Sequence, residues 1–584
     1  MKSSNRPSIE QTLYGLALLI ALTLRFINLG AIPLADSEAL LANQALALSR
    51  GEKVALDPQP AYAALTSLTF ALFGSSESTA RLWPALAGGL LLIVPYLLRR
   101  WLGRRAALIL AFGLAFDPGL VAVARQVGGP TLSASFALLT LGLAFAGFHV
   151  LAWVAAGFAL LSGPGLFPGL LGLLLACGAG RLLSKDDHGD QWPPAGWDGH
   201  ALRNSLLGLV GALVLVGTLY LRAPQGLSGW VSGLTSYLSG WTAPSGIPAL
   251  RLLAALVVYQ PLALIFALIG AIQGWLRGDR IIQVTSLWLV FSLLISHLYP
   301  ARQVSDLTWV LVPLWILAAL SIAGYLEALG GNPLISLGHA ILLFILMSLV
   351  WVNIAGLGQS EPGSPGYPAR LAVVAGLLSL GAVTSILIGL GWSWKTAQQG
   401  AVWGMCAVLG IYTLAGMWWA SQVHDPGRVE LWHPAPSSSG TSLLLNTLTD
   451  LSDWNNGDAQ ALDVTLAVDS PAIRWSLRNF PNLSVTPESE QLFARGSPSV
   501  VITRQDVEDP GLAAEYRGQD FAIKTSPGWF GALPPNILRW LAFRLAPQLE
   551  EQVIVWARAD LFPGGALLSE EPPASVDLPA LDQP

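Results

Sequence analysis

Residues 337–356 read LGHAILLFILMSLVWVNIAG, with no charged side chain among them. Two more runs follow closely, RLAVVAGLLSLGAVTSILIGLG at 370–391 and QGAVWGMCAVLGIYTLAGMWWA at 399–420. A helix needs about 20 apolar residues to cross the hydrocarbon of a bilayer, so each run predicts a transmembrane helix. The same reading extends toward the N-terminus, with runs near 11–28, 84–99, 105–122, 131–148, 150–162, 165–182, 201–221, 250–274, 281–298 and 308–326. Together they predict about thirteen spans. The 150–162 run is short and ends at Gly163-Pro164-Gly165, which fits a short helix or half of a re-entrant pair.

Composition agrees. Of 584 residues, 53% are hydrophobic and 11% charged, against roughly 25% charged in soluble proteins. Polar composition becomes ordinary from about Gln422, which predicts a membrane domain at 1–421 and a soluble domain at 422–584. A net charge of −5 without long basic tracts argues against a nucleic-acid partner. Cys177 and Cys406 both lie in apolar runs and read as small buried hydrophobes, without disulfide or zinc spacing. The run Leu13–Leu24 follows Lys2 and Arg6 but precedes no small-residue cleavage site, so it reads as an uncleaved first span.

Basic residues fix an orientation. Arg99-Arg100, Arg104-Arg105, Arg181, Lys185, Arg277, Arg280 and Lys395 fall in loops on the same side as the N-terminus. That predicts a cytoplasmic N-terminus, outside loops at 29–83, 117–130, 222–249, 299–307 and 357–369, and an extracytoplasmic C-terminal domain. Short inside loops and an uncleaved first span suit a bacterial inner (cytoplasmic) membrane.

The outside loops carry the candidate chemistry. Glu38–Arg50 has helical periodicity with Asp36 and Ser37 as N-cap candidates, and Tyr62–Phe73 predicts a second helix too short to span. Both are expected to lie along the membrane surface. Asp36 and Glu38 fit two readings that spacing alone leaves open. They compensate a helix dipole, or one of them is a general base at the membrane face. Arg125 and Arg302 sit in short outside loops, where snorkelling is the plain reading and pairing with a lipid phosphate the functional one. His297 and Asp306 flank Arg302, and Asp306 is a candidate ion-pair partner for it. No Walker loop, HExxH or GxSxG motif supports an ATP-driven pump or a serine hydrolase, and spans with paired breaks and midplane charge, expected of a secondary transporter, are not visible.

Residues 10–130 present, in order, a first span, Asp36-Ser37-Glu38-Ala39, a helix ending at Arg50-Gly51, and Pro60-Ala61-Tyr62. Then come Leu72-Phe73-Gly74, Ala80-Arg81-Leu82-Trp83-Pro84-Ala85-Leu86 and Asp117-Pro118…Ala124-Arg125. This order resembles the GT-C superfamily of polyprenyl-phosphate-sugar-dependent glycosyltransferases. More narrowly it is similar to glycosyltransferase family 39, which includes protein O-mannosyltransferases and aminoarabinose transferases of lipid A. The Tyr299-Pro300-Ala301-Arg302 loop resembles the family's phosphate-contacting outside loop, and the resemblance covers roughly the first 330 residues. It implies Asp36 and Glu38 as catalytic, Arg125 and Arg302 as lipid-phosphate-binding, and Arg81, Tyr62, His297 and Asp306 as supporting. It implies a polyprenyl-phosphate-linked sugar donor within the membrane lipid, and an extracytoplasmic acceptor that is a glycan, lipid or protein. The departures are a split acidic pair, Gln59 where a His often precedes the turn, and Gln126-Val-Gly-Gly-Pro130 where some relatives carry an acid. The ligand set for a divalent metal is therefore incomplete; the expectation is no cofactor, with a metal left open. The same departures suit an alternative, a catalytically degenerate scaffold in a surface-polysaccharide or lipid-flipping assembly.

The C-terminal domain reads as α/β. Leu462–Asp469 and Ser499–Thr503 predict strands, Val485 begins a short one, and Ser470–Phe480 and Ile537–Phe543 predict helices. Trp475 and Arg478 lie in a segment similar to one in large family-39 relatives, which makes them candidates for acceptor binding; core packing and a surface ion pair is the plainer reading.

Overall fold

A computed structural model describes residues 8–53, 58–183, 199–222, 224–327, 331–361, 363–423, 430–433, 438, 440–486, 497–507, 514–529 and 531–562. Lys2, Arg6 and Lys185, which enter the orientation argument, lie outside the described residues. The chain forms two compact units: Met1–Ser438 with Thr525–Leu549, and Ser439–Lys524 with Glu550–Pro584.

The first unit is helical. α1 (Ile9–Phe26) leads through the short helices α2 (Asp36–Ser49) and α3 (Pro60–Phe73) to α4 (Glu77–Leu90) and α5 (Ile93–Leu102). α6 (Arg104–Phe116), α7 (Pro118–Ala124), α8 (Thr131–Phe145), α9 (His149–Leu160), α10 (Leu166–Leu183), α11 (Gly199–Gly217) and α12 (Gly229–Ser239) follow. α13 (Ala249–Tyr259), α14 (Pro261–Arg277), α15 (Arg280–Leu298), α16 (Thr308–Glu327), α17 (Pro333–Gln359), α18 (Gly366–Gly391) and α19 (Trp394–Ala420) complete the run. Among the described residues, 8 helices are long and apolar enough to cross a membrane, or up to 10 if each bent pair is one span. The predicted runs at 131–148, 150–162 and 201–221 are present as shorter apolar helices. The chain is thus a polytopic membrane protein. α2 and α3 exist as expected, but α3 is buried from Pro60 to Thr66 and again at Thr69 and Phe70. Its exposed apolar side chains are Leu68, Leu72 and Phe73, on its C-terminal half.

Two spans are broken, each at a proline. α6 and α7 meet at 55°, α13 and α14 at 93°. Pro118 and Pro261 supply no N–H to the preceding turn and push the residue before them out of helical geometry; Asp117 is extended at φ −61°, ψ 121°. The two breaks are tied to one another. Asp117 is fully buried, its Oδ1 accepts the Leu120 N–H at 2.7 Å, and its Oδ2 accepts the Gln260 amide and the Trp315 indole, both at 2.6 Å. Trp315 belongs to α16, whose span is 89% buried, against 6% for that of α18. Small residues let the backbones approach it: a Cβ on Gly113 would meet the Trp315 ring at 2.3 Å, and one on Gly169 the Trp309 ring at 1.9 Å.

After α19 the chain does not leave this unit where composition changes. Leu431 and Trp432 are fully buried, and a Cβ on Gly119 would meet Trp432 at 2.4 Å. The return segment 525–549 belongs here too; its helix Ile537–Phe543 buries Trp540 completely.

The second unit is a five-stranded sheet with strand order β2-β1-β3-β5-β4, joined by α20 (Thr441–Asn456) and α21 (Pro471–Ser476). β1 (Val464–Leu466) runs parallel to β2 (Leu483–Val485) and to β3 (Val500–Arg504). β4 (Tyr516–Pro527) and β5 (Gln548–Arg558) complete it, with β3 and β5 antiparallel. Val464, Leu466, Val500, Ile502, Val553 and Val555 pack with Leu444, Leu448 and Ile473. α22 (Ile537–Phe543), formed between β4 and β5, has the predicted bounds.

Asp117→Ala leaves the Gln260 amide and the Trp315 indole without an acceptor, at about 1–3 kcal/mol for each buried group. Thermal unfolding in detergent, followed by tryptophan fluorescence, is expected to show a marked loss for Asp117→Ala and a smaller one for Asp117→Asn, which keeps one oxygen. Equal melting of all three proteins contradicts the tie.

Candidate functional site

α2 starts after Ala35, which has no side-chain acceptor, so Glu38 supplies the only half of the capping pattern available. Its Oε2 accepts the Ala35 N–H at 3.1 Å. Arg81, at the start of α4, grips the same carboxylate with two bonds, Nε to Oε1 at 3.0 Å and Nη2 to Oε2 at 2.6 Å. The Val127 N–H adds a fourth at 2.9 Å. Burial alone would raise this carboxyl; the Arg81 charge and these hydrogen bonds outweigh it and hold it below the usual range. Arg81 spends its remaining donors on the carbonyls of Leu29, Ile32 and Pro33. Glu38 and Arg81 therefore form a closed clamp on the loop after α1. A carboxylate held this way positions the chain and is a poor proton acceptor. Asp36 stands outside the clamp: two helical residues earlier, it projects about 200° around the axis from Glu38. It is half-buried and has a polar partner of its own.

Arg125 is also engaged. Its Nη1 donates to the carbonyls of Leu24, Arg25 and Ile27, its Nη2 to Asn28 and its Nε to Ser421. It closes the carbonyl end of α1, so its predicted phosphate-binding role meets a guanidinium already surrounded by backbone oxygen. Beside it, Gln126 donates to the Trp432 carbonyl at 3.1 Å and contacts His433 Nδ1 at 3.0 Å, while His433 Nε2 lies 2.9 Å from the Ala420 carbonyl. Burial pushes His433 down to about 4. Glu38, Arg81 and Arg125 all act electrostatically on it. The sequence reading missed His433 because the segment that carries it looks like ordinary polar chain.

Hydrogen bonds join the neighbouring loops at this end. Gln59, standing where a His was expected, donates to the Gly128 carbonyl at 3.1 Å, and Trp309 donates to Gly165 at 2.8 Å. Tyr62 is fully buried with its hydroxyl on the Ala80 carbonyl, a structural contact.

The 299–307 loop differs. Arg302 donates through Nη1 to the Ile247 carbonyl at 3.0 Å, yet its buried Nε has no hydrogen-bond partner among the described residues. Ile247 leads into α13, whose first turn carries Arg251. That residue is 8% exposed, its Nε and Nη2 also lack partners, and its guanidinium sits 5.9 Å from the Trp529 ring. Arg251 was not singled out by sequence; one arginine in an apolar run gives no signal. Asp306 accepts the Gln303 N–H at 2.8 Å and caps its own turn instead of pairing with Arg302. His297 Nδ1 lies 2.8 Å from the Leu293 carbonyl one turn back. The Tyr299 ring stacks on Tyr237 at 5.0 Å and its hydroxyl donates to the Tyr237 carbonyl.

In the second unit Trp475 is 1% exposed, with the Arg478 guanidinium over its ring at 4.2 Å and donating to its carbonyl at 2.8 Å. The indole expected to stack on an acceptor is a core residue already covered by its neighbour. Among the described residues no three His, Cys, Asp or Glu side chains converge on a metal-sized site.

Removing one partner of a buried ion pair costs about 3–5 kcal/mol, so Arg81→Gln is expected to lower thermal stability sharply. The pH dependence has a definite sign. The depressed Glu38 carboxyl contributes stability above its unfolded value near ~4.3, and loses it as pH falls through the lower folded value. The depressed His433 contributes stability fully above its unfolded value near ~6.5, and loses it as pH falls toward about 4. Wild type should therefore soften between pH 6.5 and 4 in melting experiments, and His433→Gln should flatten that window. An unchanged slope in the variant removes His433 from the account.

No family model matches this sequence, and no curated protein matches it. Among solved structures it is similar to ArnT from Cupriavidus metallidurans. The form bound to undecaprenyl phosphate aligns with 16% identity and a TM-score of 0.58, covering 94% of this chain and 98% of that one. The apo form aligns with 17% identity and a TM-score of 0.57, covering 95% and 99%. Identity this low speaks to architecture alone, and the coverage takes in nearly the whole of both chains: the protein has the GT-C fold.

Proposed function

We propose that the protein is a multi-pass membrane glycosyltransferase that moves a sugar from a polyprenyl-phosphate donor to an extracytoplasmic acceptor. The observation that carries this reading is the pair of guanidinium groups with unpaired buried donors, Arg251 and Arg302, at the α13 and 299–307 corner. An unpaired buried guanidinium is costly, and a phosphate oxygen is the partner that best matches its planar fork. The fold shared with a protein crystallised with undecaprenyl phosphate supports the same ligand class.

In this reading the acceptor oxygen or nitrogen attacks the anomeric carbon as the bond to the lipid phosphate breaks, inverting the centre. Asp36 takes the acceptor proton. Arg251 and Arg302 stabilise the departing phosphate, whose charge grows in the transition state. Glu38, Arg81 and Arg125 hold the loop that presents Asp36. The site faces the outside of a bacterial inner membrane, the side opposite the arginine-rich loops. A scaffold without catalysis is the second reading, favoured by the engagement of Glu38 in the Arg81 clamp and by Gln59 in place of a His.

Purified protein in liposomes with radiolabelled polyprenyl-phosphate sugars tests both. Wild type should transfer or release label, and Asp36→Asn should lower turnover by about 10²–10⁴-fold without loss of melting temperature. Arg251→Gln with Arg302→Gln should weaken polyprenyl-phosphate binding by about tenfold or more. Transfer that survives Asp36→Asn excludes it as the base. Binding of the lipid with no turnover of any donor favours the scaffold.

A further inference from the structure

At the opposite end of the helices lies a cavity of about 540 Å³ that the proposed reaction does not use. It lies in the size range of small-molecule sites, about 300–1,000 Å³. The ends of α5, α8, α10 and α15 enclose it. Leu98, Phe145 and Val284 contribute apolar wall, Trp101 stands at its edge, and Arg181 and Arg280 both line it. Among the described residues, no acidic side chain lines it. The nearest carboxylate in sequence, Asp279, is occupied in capping α15, its Oδ1 accepting the Ile281 and Ile282 N–H groups. Arg99, on the same end of α5, is engaged by the Tyr96 ring and carbonyl.

We infer that this cavity binds one anionic diacyl phospholipid of the cytoplasmic leaflet, with its phosphate between Arg181 and Arg280 and an acyl chain against the apolar wall. Three features select that occupant. The pocket joins an apolar interior to two cations, which matches an amphiphile carrying negative charge at one end. Trp101, exposed and 5.6 Å from the Phe145 ring, is the type of side chain found at headgroup depth. Arg277 lies at the same end of the bundle, where Arg104 and Arg105 pair with Glu10 and Glu327, and basic pockets between helices on the cytoplasmic side recognise anionic headgroups. A zwitterionic lipid fits the apolar wall but brings its own ammonium to the arginines.

Cys177 lines the cavity and supplies the readout. The full-length Cys406→Ala protein in detergent is alkylated with N-ethylmaleimide and followed by intact mass. Phosphatidylglycerol should slow Cys177 alkylation. Phosphatidylcholine with the same chains and glycerol phosphate without chains should not. Arg181→Gln with Arg280→Gln should alkylate normally without lipid and need about tenfold or more phosphatidylglycerol for the same protection. Native mass spectrometry of the unlabelled protein gives a second readout: wild type retains one phosphatidylglycerol that the double variant loses. Equal protection by both lipids, or equal retention by wild type and variant, overturns the assignment.

Discussion

A bilayer offers no hydrogen-bond donors to a carbonyl, so every helix end or break at membrane depth must find its partners within the protein. Here guanidinium groups do most of that work. Arg25 is fully buried and donates to Ala21, Leu114 and Ala115. Arg125 reaches four carbonyls at the end of α1, and Arg81 three in the loop that follows. One side chain with five donors in a fixed plane satisfies what would otherwise be several orphaned oxygens. The charge that comes with it needs an answer, and Glu38 supplies one for Arg81. Thus the acidic loop after α1 is held in place by the same contacts that make the break in helical structure tolerable.

This sorts the arginines by what they have left to offer. Arg81 and Arg125 have the positions expected of ligand-binding residues, yet their donors are spent on backbone. Arg251 and Arg302 keep buried donors without a hydrogen-bond partner among the described residues, as Arg25 does at Nε and Arg544 at Nη1. The second condition is the costly one, and at the α13 and 299–307 corner the proposed lipid phosphate would supply the missing partner. The distinction moves the proposed phosphate-recognition surface from the 117–130 loop toward α13 and the 299–307 loop. It also moves the candidate base from the pair Asp36 and Glu38 to Asp36.

The sequence carried the architecture well because the signals involved are long. Each predicted apolar run has its helix and the bounds of Ile537–Phe543 agree with the structure, whereas the spans expected to be continuous at 105–122 and 250–274 are bent at Pro118 and Pro261. It carried the site poorly because short spacing cannot say which way a carboxylate turns. Asp36 and Glu38 both suit a helix start, and only the arrival of Arg81, 43 residues away in the chain, separates them. Composition likewise placed the end of the membrane domain near Gln422. The buried indoles of Trp432 and Trp540, set among polar residues, keep 422–438 and 525–549 in the first unit. Trp475 shows the converse: an aromatic beside an arginine reads as a sugar platform, and packing makes it core.

The return segment has a physical anchor of its own. Tyr259, at the break between α13 and α14, donates to Glu430, and Arg544 just past α22 lies 3.2 Å from the same carboxylate. The Arg544 guanidinium also covers the rings of Trp540 and Tyr259. Arg544 adopts a left-handed φ of 56°, a strained choice for a residue with a β-carbon, and the buried carboxylate and two rings offset that cost. Because Tyr259 ends the same helix that begins near Arg251, the segment 525–549 bears on α13 at both ends, through Trp529 at Arg251 and Trp540 at Tyr259. A chain segment that composition assigns to the soluble domain therefore braces the helix whose unpaired arginine faces the proposed phosphate, and its fit on α13 sets how rigidly that guanidinium is presented.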